Sequence, residues 1–447
     1  MSALNLLYPI PIPEAKTSIE FQDFIPARKK DALLKCSSNR KIFARALSDT
    51  ETSLVNAESI GVTGAKYLVD LFSLAEICTT PGVKITRVPL LKWSSGIADE
   101  KKCGKMDEKA FKNFKDICHF ETVMTGLSVA SVHLAVAGFS LQYAKETGEV
   151  SEQDLTHALS KVKQAAALYQ YLVQYNARLN CNAVQMQVPE IHPSMLECFS
   201  KYALLCLNQV SLELARKKQP VIKRTLLASI AQQNRIDALG VARSIVQASL
   251  ASGGAAAPDS ATGGGGTASK PAAGGASAAP QIGQQHRILI AVKYHCELYA
   301  QIMGVCAPGW MAEEAFEAQD FGTAEGWAKA AAGELEKLRG MKSNDVLGGI
   351  RSREMKYWKG KLQEIIDDNS SVYYKPVPDN LPPILARSIA SADGLKYEDW
   401  QKRSFDIADL QLEIEGEDEY GQPQMRPARE GQDVADFVQE ADISREM

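Results

Sequence analysis

The chain has no pair of cysteines at CxxC spacing, no HExxH run, no GK[ST] behind its glycine-rich stretch and no excess of positive charge. Each absence excludes a class of protein. Nine cysteines, odd in number and scattered from Cys36 to Cys306, form neither a disulfide framework nor a zinc-ribbon pattern, and they read as the reduced thiols of a cytosolic protein. The histidines (His119, His133, His157, His192, His286, His295) supply no metal-ligand spacing, and His133, in an apolar stretch, reads as a core histidine. Cys118 and His119 are adjacent, but a nucleophile and its base must meet in space beside a third, orienting group. No catalytic constellation and no cofactor site emerges, so the expectation is a protein that is not an enzyme. A net charge of −4 argues against nucleic acid as a partner, because neutralising phosphates takes a dominant basic face. The start, MSALNLLYPIPIPEAK, has no basic region before its apolar residues and is broken by proline, which predicts neither signal nor transit peptide. No apolar run approaches the roughly 18 residues needed to cross a bilayer, so membrane contact is expected to be peripheral.

What is present is helical periodicity. Between residues 151 and 178, Leu155, Ala158, Leu159, Val162, Ala165, Ala166, Tyr169 and Leu172 recur at steps of three and four, the mark of one apolar helix face. Similar patterns predict helices over about 121–144, 194–217, 221–250, 284–304, 309–338 and 344–367. Ahead of them, the β-branched run Val83 to Leu91 predicts a short strand pair. The 447 residues suit a solenoid of antiparallel helix pairs, similar in physics to tetratricopeptide units although no repeat of about 34 residues is visible.

Three segments break the pattern. Residues 251–283 are almost wholly glycine, alanine and serine and cannot offset the entropy of ordering, so a disordered insert between two helices is expected. Pro376, Pro378, Pro382 and Pro383 rule out helix behind Tyr373 and Tyr374 and predict an extended strap. Residues 393–447 form an acidic polar tail, with Asp406, Asp409, Glu413, Glu415, Glu417, Asp418 and Glu419 uninterrupted by a basic residue; it reads as partly disordered or as a partner-binding extension. Two basic clusters, one at Arg28, Lys29, Lys30, Lys35, Arg40 and Lys41 and one from Lys101 to Lys115, read as solvated faces or as a surface for anionic lipid.

Motifs along residues 7–391 carry a family resemblance. PIPEAKTSIEFQDFI near the start, FETVMTGLSVASVHLAVA (120–137), HALSKVKQAAALYQYL (157–172), CLNQVSLELA (206–215), LLASIAQQ (226–233), KYHCELYAQIMG (293–304) and VYYKPVP (372–378) are similar to the BRO-type, Alix-like domain. The resemblance implies a mainly α, boomerang-shaped domain over residues 1–392, with a tetratricopeptide-like solenoid core and a short N-terminal β element. It implies an adaptor whose concave face takes the C-terminal amphipathic helix of an ESCRT-III subunit of the charged multivesicular body protein (Snf) type, in a cytoplasmic protein recruited to endosomal membranes. It places Leu212 at an apolar position usually held by an aromatic, Glu152 at an acidic position and Thr156 at a position usually held by lysine. It makes Tyr373 a phosphorylation or docking point; by its own chemistry Tyr373 reads as a packing ring with its hydroxyl at the surface.

The residues themselves support a groove. Leu227, Ala231, Ala238, Val241 and Ile245 form the inward stripe of the helix beginning near Val221. Ile222, Leu226 and Ile230 form a second apolar line, expected to face solvent until a partner helix covers it, and Gln233 and Asp237 continue it as polar. Arg216, Lys217, Lys218, Lys223 and Arg224 flank it. A scaffold of the same fold, acting through its tyrosine strap or acidic tail without ESCRT-III, is the alternative reading.

Overall fold

The computed structural model describes residues 7–48, 53–85 and 93–96 with interruptions, 114–147, 149–177, 188–218, 222–254, 287–341 and 345–389, and 395–412 with interruptions. Its long helices are α1 (Asp31–Ser48), α2 (Leu54–Ile77), α3 (Phe114–Thr147), α4 (Glu152–Asn176), α5 (Pro193–Lys217), α6 (Arg224–Ser249), α7 (Arg287–Glu317), α8 (Phe321–Gly340) and α9 (Asp345–Asp368). Each packs chiefly on the next, and α9 also returns to α7. This nearest-neighbour packing is the solenoid that the periodicity predicts.

Local chemistry sets the helix ends. The Ser53 hydroxyl accepts from the Asn56 N–H at the start of α2, and Ser151 and Asp154 satisfy each other's backbone donors at the start of α4. One boundary departs from expectation: the periodicity predicts separate helices over about 284–304 and 309–338, yet α7 runs unbroken through Pro308 to Glu317. The removed N–H bond falls at the turn of Gly304, whose missing side chain leaves room for the Arg235 guanidinium. The true break is a Schellman turn, with Gln319 at φ 63° and Asp320 N–H donating to Ala315 O at 2.9 Å.

The strand expectation shifts too. The described sheet pairs β1 (Glu14–Ala15) with β2 (Trp93–Ser94), antiparallel, Ala15 opposite Trp93; most of the expected 83–91 segment lies outside the described residues. What fixes β2 is the Trp93 indole, which donates to Glu121 Oε2 at 2.8 Å inside the core.

Glu121 also accepts from Tyr67 Oη at 3.0 Å and pairs with Arg40 Nε at 2.6 Å, and Arg40 donates to the Thr17 carbonyl. Arg40, counted above in a basic surface cluster, is therefore wholly buried, and its charge ties the N-terminal segment, α1 and α3 together. Exposed members of that cluster are Arg28, Lys29, Lys30, Lys35 and Lys41; Lys101 to Lys112 lie outside the described residues.

The absence of a long apolar run also needs correction. Helix α3 is long and apolar enough by composition to cross a bilayer, but 83% of its apolar window is buried inside the protein. Polar Thr122, Thr125, Ser128 and Ser131 interrupt the run in sequence, and they are buried as well. It is a core helix between α2 and α4, apolar on every side because it has neighbours on every side.

The C-terminal segment binds the solenoid lengthwise. From 374 it is extended; Leu381 lies against α8, and Arg387 N–H donates to Ser229 O of α6 at 3.0 Å. Farther on, Tyr397 packs on Tyr171 of α4 with rings 5.8 Å apart, Arg403 pairs with Glu76 of α2 at 3.0 Å, and Leu412 bridges to Ala27. The first residues of the expected tail are thus docked in part, and those beyond 412 lie outside the described residues.

Candidate partner-binding groove

Three helix ends meet at the site. Lys217, in the last turn of α5, donates to Glu149 Oε1 at 2.8 Å and to the Val150 carbonyl, which brings that turn against the first turn of α4. Helix α6 starts alongside α5, and its N-cap, Lys223, offers no side-chain cap. Glu314 of α7 does this work instead, accepting from the Arg224 N–H at 3.0 Å, a carboxylate at the positive end of the helix dipole. The sequence-predicted residues Glu152, Thr156, Leu212, Ile222, Leu226 and Ile230 therefore lie toward the same end of three consecutive helices.

Their exposure separates them. Leu227, Ala231, Ala238, Val241 and Ile245 are buried, as the inward stripe requires. Ile222 and Leu226 are half-buried and rest against the core with one side open. Ile230, expected to face solvent, is only 4% exposed, and Leu212, expected to meet the partner, only 1%. Both corrections have one cause: successive residues of the second line drift around α6 into the seam with α5, where Asn208 donates to Asp237 at 3.4 Å two turns farther on. The open apolar line is thus short, Ile222 and Leu226, with Leu212 and Ile230 as its floor.

The polar rim follows. Burial pushes the Asp237 carboxyl above its usual range, against hydrogen bonds from Gln233 and Asn208 that draw it down. Glu152 and Thr156 are exposed on α4, where the Thr156 hydroxyl donates to Glu152 O at 2.8 Å. Hydrogen bonds from Ser151 hold the Asp154 carboxyl below the ordinary value. Of the five expected flanking cations, three are engaged within the fold. Arg216 pairs with Glu213 at 2.9 Å and lies over the Trp310 ring, Arg224 pairs with Glu313 at 3.0 Å and with Glu317, and Lys217 is held as above. Lys218 and Lys223 remain exposed, without an acidic partner among the described residues.

Tyr373 stacks face to face on Phe321, rings 3.5 Å apart, and stays 40% exposed. Sequence reasoning found this ring but not its anchor. Buried Asn369 donates to Glu325 Oε2 at 2.5 Å and to Lys375 O at 2.9 Å, while its own oxygen accepts from Lys375 N–H. Its carbonyl also accepts from Tyr374 N–H, the residue at φ 54° where helix turns to strap. A lone asparagine before VYY gives no periodic signal, so pattern reading passes over it.

The helical solenoid closed by its own proline-rich strap has the fold of a BRO-type domain. The BRO1 domain of ALIX in complex with CHMP4C superposes with a TM-score of 0.61 at 12% identity, covering 90% of this chain and 98% of that one. A structure of the Bro1 domain described as the basis for endosomal targeting gives 0.57 at 11% identity, with 86% and 92% covered. ALIX in complex with the SIVmac239 late-domain peptide PYKEVTEDL gives 0.55 at 11%, with 92% of this chain and 52% of that one covered. No family model and no curated protein sequence matches the chain.

Proposed function

We propose that this chain is a non-catalytic, ESCRT-associated adaptor whose groove between α5 and α6 receives the C-terminal amphipathic helix of an ESCRT-III subunit, in endosomal sorting or membrane scission. The observation that carries the reading is the half-open pair Ile222 and Leu226 above buried Leu212 and Ile230. An amphipathic helix is recognised by a local apolar line of this kind, with anchors spaced by a turn. Support comes from the fold shared with a BRO1 domain solved with CHMP4C. Exposed Lys218 and Lys223 beside the line suit a partner helix with acidic residues on its flank, and Glu152 suits one with a basic residue. The setting is a cytoplasmic protein recruited to endosomes, with the basic N-terminal cluster as a peripheral contact for anionic lipid.

Titrating a fluorescent peptide of the ESCRT-III C-terminal helix against the full chain tests the reading. Saturable binding that is lost on changing Leu226 supports it. A folded chain that binds no such peptide favours the alternative, a scaffold of the same fold acting through its tyrosine strap or tail.

A further inference from the structure

A second groove, of about 690 Å³, lies over α3 and between α2 and α4. Its volume is that of a typical ligand site. Val129, Val132 and Val136 of α3 make its floor, and Val62 of α2 stands at its edge, 57% exposed. Its rim carries Lys161 and Lys163 of α4 and Lys396 of the C-terminal segment, none with an acidic partner among the described residues, against one carboxylate, Glu58. An apolar floor under unpaired ammonium groups suits a chain that alternates apolar and acidic side chains. One end of the groove is walled by a segment of the chain itself: Leu395 packs against the core and Tyr397 rests on Tyr171.

We infer that this groove docks the chain's own terminal segment, residues 433–443, DVADFVQEADI. That segment places Val434, Phe437, Val438 and Ala441 at steps of three, one and three, and interleaves them with Asp433, Asp436, Glu440 and Asp442. Apolar residues at this spacing present one face, and four carboxylates border it to meet the three lysines. Reach is sufficient. The chain is held at Leu412 by its bridge to Ala27, just after the turn Ile407–Leu410 that contacts α2, and residues 413–432 can span up to about 70 Å when extended, whereas α2 itself is about 36 Å long. Docking would shield the exposed Val62 and neutralise the lysine rim, and it gives the acidic tail a place on the fold that the α5–α6 groove does not use.

Zero-length carbodiimide coupling of the full chain, read by mass spectrometry, tests this. The expected result is amide links from Lys161, Lys163 or Lys396 to carboxylates among residues 433–442, found within single chains, unchanged by tenfold dilution, and reduced at least fivefold by Phe437→Asp and by Val62→Asp. Val62 is an exposed side chain, and folding of both variants is checked by circular dichroism. Absence of these links overturns the inference. Links that survive Phe437→Asp overturn it too, since charge attraction alone would then explain them. Links that vanish on dilution assign the groove to a second copy of the chain, and a groove that couples only to an added acidic peptide assigns it to another protein; either result contradicts docking within one chain.

Discussion

Gly322, in the first turn of α8, faces the carbonyl oxygen of Pro376 so closely that a methyl group has no space between them. The obstacle is backbone, which cannot swing aside as a side-chain tip can. Four residues on, Gly326 lies under Leu381 and Val377, so two glycines one turn apart let the strap lie directly on the helix. Gly322→Ala should therefore lift the strap and lower stability by about 2 kcal/mol. Gly333→Ala, on the same helix with open space around it, should stabilise by about 1 kcal/mol through helix propensity. Thermal melts of both variants, with limited proteolysis between 374 and 389, check the pair. Equal behaviour would mean the strap does not bear on Gly322.

Tyr373 rests on Phe321 with much of its ring exposed. Tyr373→Phe keeps the stacked face and should leave the melting temperature unchanged. Tyr373→Ala should cost about 1 kcal/mol, the worth of an aromatic pair, rather than the several expected of a fully buried ring. A loss as large for Phe as for Ala would show that the hydroxyl, not the stacking, holds the strap.

Burial among α5, α7 and α9 pushes the Glu354 carboxyl above its ordinary range, and the nearby Arg216 charge only partly offsets this. Raised in the folded state, it binds a proton there that the unfolded chain has released. Stability from this group is full below its unfolded value of about 4.3 and falls as pH rises through the folded value. Glu354→Gln should therefore flatten the decline in urea midpoint from pH 4.5 to pH 7. A variant whose midpoint falls as steeply as the wild type assigns the decline to other groups.

Helices α6 and α7 pack along each other on either side of the glycine-rich stretch. The expectation of a loose insert concerns residues that lie mostly outside those described, but its first residues are ordered: Ser252 is buried, in a turn that extends α6. Deleting residues 255–280, which spares that turn, should raise stability by no more than about 1.5 kcal/mol, since loop length enters closure entropy as a logarithm. A loss of more than about 2 kcal/mol on chemical denaturation would show that the deleted residues pack.

Most of the solenoid was legible in the sequence because a helix with two neighbours carries a wide apolar arc, and that arc survives any change of context. The limits of α4, α5 and α9 fall within a few residues of the periodic segments that predict them. The expected boundary between 304 and 309 is absent because Gly304 and Gly309 leave space for the helix to continue past Pro308, with Trp358 lying against Gly309, and apolar spacing alone does not show that space. At the site, periodicity found the second stripe of α6 but not its depth. Whether Ile230 is open or closed depends on how α5 lies against α6, a relation between residues far apart in sequence. Arg40 shows the same limit: among five surface cations it has the same local signal as its neighbours, and only the fold brings Glu121 to it.

The most direct test of the adaptor reading sets Leu226→Asp beside Leu227→Asp, neighbours on α6 of which the first is half-open and the second 5% exposed. The measurement is titration of the ESCRT-III C-terminal helix against wild type and both variants, with circular dichroism melts in parallel. An aspartate at Leu226 places a charge in a contact that becomes desolvated only when the partner binds, so the chain should stay folded and lose at least a hundredfold in affinity, about 2.7 kcal/mol. Leu227→Asp should unfold the domain, because its charge would enter the core. Should Leu226→Asp remain folded and bind as tightly as wild type, the helix does not seat on α6 and the groove is not the adaptor's site.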